Sequence, residues 1–338
     1  MQLPTHDDVA AAAGRIAGHV VRTPMLRNAL LDQLTGGTIL LKAETLQKTG
    51  SFKLRGATNA ALQLSAAELR AGVVTHSSGN HGQALACAAK AVGAAATIFM
   101  PQDAPRVKVD STRRWDATIV HYDRMTDDRE ALARAHADRT GASLIPPFDH
   151  AHVIAGQGTL ALELFEDAAA AGLPIDALLV CTGGGGLIAG CALAAEGVRH
   201  SVDVIAVEPE GSDDTLRSLR SGVREGNPPG GSQLCDALLA KMPGELTFAV
   251  NQSRLSGGVA VTDDEVLAAI AFAFTHLKLV VEPGGAVCLA ALLSGRFDAR
   301  GRVVGAVLSG GNVDPAVFAR ALDAESRPSP DRRIPAGH

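Results

Sequence analysis

No run of lysine or arginine occurs anywhere in the chain, and its formal charge is -5 with a pI near 6.1. A polyanion would meet no basic stripe, so nucleic-acid binding is not expected. Apolar runs of membrane-spanning length are also missing, because glycine or charge interrupts the longest ones, and no membrane association is expected. The amino terminus, MQLPTHDDVA, places acids where a secretory leader needs a basic region followed by an apolar one. Cysteines are few and scattered: Cys87, Cys181, Cys191, Cys235 and Cys288. Their spacing builds neither a zinc site nor a disulfide framework, which suits a reducing cytoplasm. Short-period repeats and low-complexity tracts are absent as well.

What is present is an alternation of helices and short apolar strands over 338 residues, enough for one large domain or two packed ones. THDDVAAAAGRIAG reads as an alanine-rich helix over 5–18, capped by Thr5 with Asp8 in its first turn. Residues 38–43 read as a buried strand, and Ser65 with Glu68 forms a capping box. Strands are expected at 73–75, 95–100, 118–122 and 143–145, with helices between them, one beginning at Pro105. A second run places a helix over 159–171, strands at 177–181, 203–208 and 303–308, a helix opened by Thr262 and Glu265, one after Gly284, and one from Pro315 to about residue 324. Such alternation implies parallel sheets covered on both faces. The proline-containing tail 325–338 is expected to be disordered.

Five stretches carry candidate chemistry. In Thr49-Gly50-Ser51-Phe52-Lys53-Leu54-Arg55-Gly56-Ala57, Lys53 falls in the first turn of a helix that Ser51 could cap. Burial there would depress its pKa and make it a nucleophile, although a lone lysine in an amphipathic segment is more often a solvated surface residue. Cys181-Thr182 is followed by Gly183, Gly184, Gly185, Gly186 and Leu187, between an apolar strand and a helix. Unshielded amides at a helix start suit a phosphate, and four glycines exceed what a tight turn needs. The pattern matches neither the dinucleotide fingerprint nor the P-loop. Ser77, Ser78, Gly79, Asn80, His81 and Gly82 offer hydroxyls and amides for a carboxylate and for one proton-transferring group, with a polar helix cap as the plainer alternative. Glu208, Glu210, the Ser212 region and Asp214 could supply hard oxygen ligands to Mg²⁺ or Ca²⁺, or form a solvated acidic turn. Ser309-Gly310-Gly311-Asn312 ends the last strand, and each cluster stands at a strand's carboxyl end, where open α/β sheets bind ligands.

Taken together and in order, KAE at 42–44 with Gln47, GSFKLRGA, HSSGNHGQALA, AGQGT at 155–159, GGGGLIAG, VEPEG, EPGGA at 282–286 and SGGNVD at 309–314 resemble the fold-type II pyridoxal 5′-phosphate enzymes, in their serine/threonine dehydratase and serine racemase branch. The resemblance covers nearly the whole chain apart from its tail. It implies two open parallel-sheet α/β domains with the cofactor between them: a large domain over 1–71 and 148–324 and a small mobile one over 72–147. It further implies that Lys53 holds the cofactor as a Schiff base, Phe52 packs on the pyridine ring and Asn80 bonds its 3′-hydroxyl. The amides of Gly183, Gly184, Gly185, Gly186 and Leu187 would hold the phosphate, and Ser309 would face the pyridine nitrogen. A neutral hydroxyl there does not enforce ring protonation, which favours β-elimination over transamination.

In the same resemblance Ser77, Asn80 and His81 bind the substrate carboxylate, Lys53 removes the α-proton and Ser78 stands on the opposite face. Glu208, the Ser212 carbonyl and Asp214 match the family's cation site, and a homodimer is expected. The implied activity is ammonia-lyase chemistry on L-serine, L-threonine or a related β-hydroxy amino acid. A threo-3-hydroxyaspartate ammonia-lyase and a serine racemase are the alternatives, and a non-catalytic amino-acid-binding module is a remoter one. Cys235-Asp236-Ala237 and Ile145-Pro146-Pro147-Phe148-Asp149 depart from the family pattern at the substrate wall. Arg134 aligns with a position able to approach a second carboxylate, or is an exposed helix arginine. No regulatory extension follows the catalytic region, so branched-chain feedback is not expected.

Overall fold

A computed structural model describes residues 3–104, 106–228 and 230–326. Among these, ten strands are found: β1 (Met25–Leu26), β2 (Thr38–Ala43), β3 (Val73–His76), β4 (Ala96–Pro101), β5 (Thr118–Tyr122), β6 (Ser143–Leu144), β7 (Ala177–Cys181), β8 (Asp203–Pro209), β9 (Gly257–Val261) and β10 (Val303–Leu308). They make a six-stranded sheet in the order β1-β2-β10-β7-β8-β9 and a four-stranded sheet in the order β5-β4-β3-β6. Every pairing is parallel except that of β1 with β2. The smaller sheet draws all its strands from 73–144, and the larger one takes the chain on either side. Strands such as β2, β7 and β10 are aliphatic and buried, as expected of parallel strands covered on both faces. The expected two-sheet α/β architecture is therefore what the chain adopts.

Several local expectations change. Ser51 does not cap the helix Lys53–Ala61; Phe52 occupies the cap position without a side-chain bond. Ser51 instead forms an isolated bridge with Gly310, and its buried hydroxyl has no protein partner. An amide in the first turn, that of Gly56, donates to Gln157 Oε1 at 3.0 Å, which does part of the work of a cap from another helix.

The helix expected over 159–171 in fact spans Ala151–Ala170. Gly156 and Gly158 fall inside it, although glycine is a poor helix former. They are there for contact: a methyl on Gly156 would lie 2.6 Å from Gly56 Cα, and one on Gly158 would strike the Gly190 carbonyl. Three helices, Lys53–Ala61, Ala151–Ala170 and Gly186–Ala195, thus touch backbone to backbone. The helices Ala29–Thr35, Asp214–Ser221 and Glu245–Asn251 and the strand β9 were not among the expected elements. The last helix, Pro315–Ser326, runs into the stretch expected as a disordered tail. The expectation for Pro105 and that for the tail beyond residue 326 lie outside the described residues.

A buried ionic group joins these layers. Arg55, with no exposure, donates to Glu44 from Nε and Nη2 at 2.8 Å each, and to Glu163 from Nη1 at 2.7 Å and Nη2 at 2.8 Å. Lys42, also fully buried, donates to Glu163 Oε2 at 2.6 Å and to the Thr23 carbonyl at 2.7 Å. Burial acts to lower the Arg55 pKa, but the two glutamates outweigh it and hold the guanidinium charged. For Lys42 burial dominates and the pKa falls, although Glu163 opposes it. Removing one member would leave an uncompensated buried charge, a loss of about 3–5 kcal/mol.

Candidate active site

The carboxyl ends of β2, β3, β7 and β10 lead to one cavity of about 190 Å³. Phe52, Lys53, Ser77, Ser78, Asn80, His81, the glycines 183–186, Leu187 and Ser309 all line it, so four separated stretches of sequence converge on one space. Glu208, Ser212 and Asp214 do not line it and form a separate buried group.

Lys53 is the first residue of its helix, and its Nζ donates to the Pro147 carbonyl at 2.7 Å. Enclosure by protein disfavours the ammonium and brings the pKa down to about 8, against weaker opposing effects of Cys181 and Glu282. A neutral amine is therefore within reach near physiological pH. Asn80 is pinned from both ends: its Nδ2 donates to Glu282 Oε1 at 2.5 Å, and its Oδ1 accepts from Asn312 Nδ2 at 2.8 Å. Burial pushes the Glu282 carboxyl up to about 7, a little offset by the Asn80 bond. His81 is buried, and its pKa falls to about 3, through burial first and the Lys53 charge second. It is thus a neutral ring whose Nε2–H donates to the Ile145 carbonyl at 2.9 Å. With that nitrogen engaged, the group of His81 best placed for a carboxylate is its amide, in the first turn of the helix Asn80–Ala91.

The glycine stretch leaves β7 and enters the helix Gly186–Ala195, with Gly185 at φ +90° as its cap residue. That φ favours glycine. A methyl on Gly184 would lie 2.5 Å from three ring atoms of Phe148, and one on Gly183 would lie 2.9 Å from Leu238 Cα. Glycine thus lets Phe148 and Leu238 close on the loop, while all four glycines line the cavity. Ser309, 4 % exposed, accepts the Phe52 amide on its carbonyl at 3.0 Å, which ties the end of β10 to the residue before Lys53.

Some cavity residues carried no assigned role in the sequence. Glu282, Lys108, Arg129 and Phe148 all line it. Glu282 sits in the EPGGA motif and could have been singled out as an acid before a helix-opening proline. Lys108 and Arg129 lie on ordinary surface helices, and only the fold brings them in. Arg134 stays exposed on the helix Arg129–Thr140 and does not line the cavity, whereas Arg129 at the start of that helix does. Lys108 reaches across to Asp236 at 2.5 Å, from the 73–144 region to the larger unit.

In the separate acidic group, Glu208 accepts the amides of Thr215 at 3.0 Å and Leu216 at 2.9 Å, and Asp214 Oδ1 accepts from Asn227 at 2.6 Å. Asp214 Oδ2 is buried without a protein partner. Burial, then the charge of Asp214, pushes Glu208 up to about 8, and burial pushes Asp214 up to about 6. Among the described residues, no group of three or more His, Cys, Asp or Glu is placed to hold a metal; the pair here would need its third oxygen from a backbone carbonyl.

The family model "Pyridoxal-phosphate dependent enzyme" matches residues 16–310, and the chain belongs to that family. It is 41% identical to a serine racemase of Schizosaccharomyces pombe over 322 residues, covering 95% of this chain and 98% of that protein. An L-threo-3-hydroxyaspartate ammonia-lyase from a Pseudomonas species is 42% identical over 324 residues, covering 95% and 99%. Among solved structures, serine racemase from Dictyostelium discoideum superposes with a TM-score of 0.86 at 39% identity, covering 92% of this chain and 99% of that one. The cavity fits the family's cofactor: a depressed lysine for its aldehyde and a side-chain-free turn at a helix start for its phosphate.

Only the neutral amine of Lys53 adds to an aldehyde. In cofactor-free protein, the rate of pyridoxal-phosphate capture, followed by absorbance, should rise about tenfold per pH unit below the Lys53 pKa and level off above pH 8. Acceleration continuing to pH 10 would mean an unperturbed lysine.

Proposed function

We propose that this protein is a pyridoxal-phosphate-dependent ammonia-lyase that converts a small β-hydroxy amino acid, with L-serine and L-threonine as the first candidates, to a 2-oxo acid and ammonia. The observation that carries the reading is the meeting of Lys53, Ser78, the glycines 183–186 and Ser309 in one cavity. Relatives named as hydroxyaspartate and threonine ammonia-lyases support it.

When bound, pyridoxal phosphate supplies a covalent tether to the substrate nitrogen and an electron sink for the α-carbon. The amides of 183–187 would hold its phosphate and Phe52 would pack on its ring. Ser309 would offer its hydroxyl to the ring nitrogen, and Asn80, held by Glu282 and Asn312, would serve the ring hydroxyl. Ser77, Asn80 and the His81 amide receive the substrate carboxylate. Lys53, with its pKa near 8, takes the α-proton. Ser78 holds a proton on the other face. Loss of the β-hydroxyl as water, followed by uptake of water at the α-carbon, balances the reaction to oxo acid and ammonia.

A second reading, an acidic substrate of the threo-3-hydroxyaspartate kind, is favoured by Arg129 and Lys108 on the cavity wall. Racemisation would follow from proton exchange at Ser78. The 72–147 region is read as a small mobile domain closing on the larger one, with the Lys108–Asp236 pair between them. Glu208, the Ser212 carbonyl and Asp214 are read as ligands of a divalent cation, Mg²⁺ or Ca²⁺. Two buried carboxylates and the unpartnered Asp214 oxygen support that reading. A homodimer is part of the proposal, supported by exposed Leu34, Leu46, Phe274 and Val280. So is a cytoplasmic setting, which five buried free cysteines suit.

A product assay over L-serine, D-serine, L-threonine and threo-3-hydroxyaspartate, scoring ammonia, oxo acid and chirality, tests these readings. Purified protein should be yellow, and Lys53→Ala should lose at least roughly a thousandfold in turnover; a colourless, inactive protein would favour the binding module. Ser78→Ala should depress racemisation and D-serine use more than L-elimination. If the substrate is acidic, Arg129→Ala should cut kcat/KM for hydroxyaspartate by about 10–100-fold relative to L-serine.

Chelation tests the cation. Treatment with a chelator should lower Tm by about 2–4 °C, with recovery on adding Mg²⁺ or Ca²⁺. In Asp214→Asn neither shift should appear, and an unchanged wild-type Tm would remove the cation from the proposal.

A further inference from the structure

A trans peptide is planar, with its C=O and N–H pointing in opposite directions. Whatever holds one carbonyl therefore aims the amide of the next residue. The Gly184 carbonyl accepts from Thr247 Oγ1 at 2.7 Å and from the Gly244 amide at 3.3 Å. The Gly185 carbonyl accepts from Asn251 Nδ2 at 3.4 Å besides the Ala189 amide of its own helix at 3.0 Å. Thr247 and Asn251 stand one turn apart on the helix Glu245–Asn251, and both are buried. Four glycines in a row have no side chains with which to choose among backbone states. The choice is made from this neighbouring helix.

The helix is itself fixed. Asp149 accepts the amides of Glu245 at 3.0 Å, Leu246 at 2.9 Å and Thr247 at 3.1 Å. Its neighbour Phe148 lies against Gly184 and Gly186. The loop is thus gripped on its carbonyls by Thr247 and Asn251 and on its Cα atoms by Phe148.

We propose that Thr247 is a positioning residue for the cofactor: its hydroxyl holds the Gly184 carbonyl so that the following amide, that of Gly185, faces the phosphate. The inference rests on reading the glycines 183–186 as the phosphate cradle. It concerns the phosphate alone, so loss of the hydroxyl should weaken the phosphorylated cofactor and spare its dephosphorylated form.

The test is the affinity of the cofactor-stripped full-length chain for pyridoxal 5′-phosphate and for pyridoxal. Thr247→Val should bind pyridoxal phosphate about tenfold more weakly, the effect of losing one well-formed hydrogen bond to the loop, and pyridoxal as the wild type does. Thr247→Ser, which keeps the hydroxyl, should stay within about threefold of wild type for both. Thr247→Ala serves the same comparison should the valine variant not fold. In the loaded enzymes, the ³¹P resonance should move in Thr247→Val and not in Thr247→Ser. Unchanged pyridoxal-phosphate binding in Thr247→Val, or equal losses for both compounds, would overturn the role of Thr247 and leave the cradle standing. A wild type that binds the two compounds equally would remove the cradle as well.

Discussion

Arg55 holds the architecture around the site together. Its guanidinium is fully buried between Glu44 and Glu163, and Glu163 also receives Lys42 from near the carboxyl end of β2. Two cations and two carboxylates thus neutralise one another where water is excluded, and no member can be withdrawn alone. The consequence for chemistry is positional. Arg55 is two residues from Lys53, so the group that fixes the helix to the sheet and to the Ala151–Ala170 helix also fixes where the lysine emerges.

The arrangement divides labour by distance. Rigid, fully partnered ions and glycine contacts lie behind Lys53, while groups with shifted or unfinished chemistry lie in front of it: an amine near pKa 8, a carboxyl near 7 on Glu282 and a histidine kept neutral. Parallel strands make this possible, because all their carboxyl ends open the same way and deliver loops from remote parts of the chain to one side. Asn80 illustrates the result, pinned by residues 202 and 232 positions away.

Legibility followed the kind of signal. Strands with continuous aliphatic runs and helices opened by caps at Thr5, Ser65 and Thr262 were readable, and in the structure all three close as capping boxes. The cavity lining was readable because short motifs at strand ends keep their residues close in sequence. Three things were not. The packing role of Gly156 and Gly158 was hidden because their partners, Gly56 and Gly190, are distant along the chain. Arg129 was missed in favour of Arg134, since which side of a polar helix meets a cavity depends on the sheet beneath it. The helix Glu245–Asn251 has seven residues and no side chain of its own at its cap position, and its start is held by Asp149 from another part of the chain.

The glycine contacts between the three central helices also set where the protein can change. At Gly56, Gly156, Gly158 and Gly190 the permitted vocabulary is a single letter, since the next larger side chain collides with backbone. The wall bearing Lys108, Arg129 and residues 236–240 carries no such restriction from helix crossings. A lineage, or an engineer, seeking a new substrate therefore has a palette on the wall and none behind the lysine.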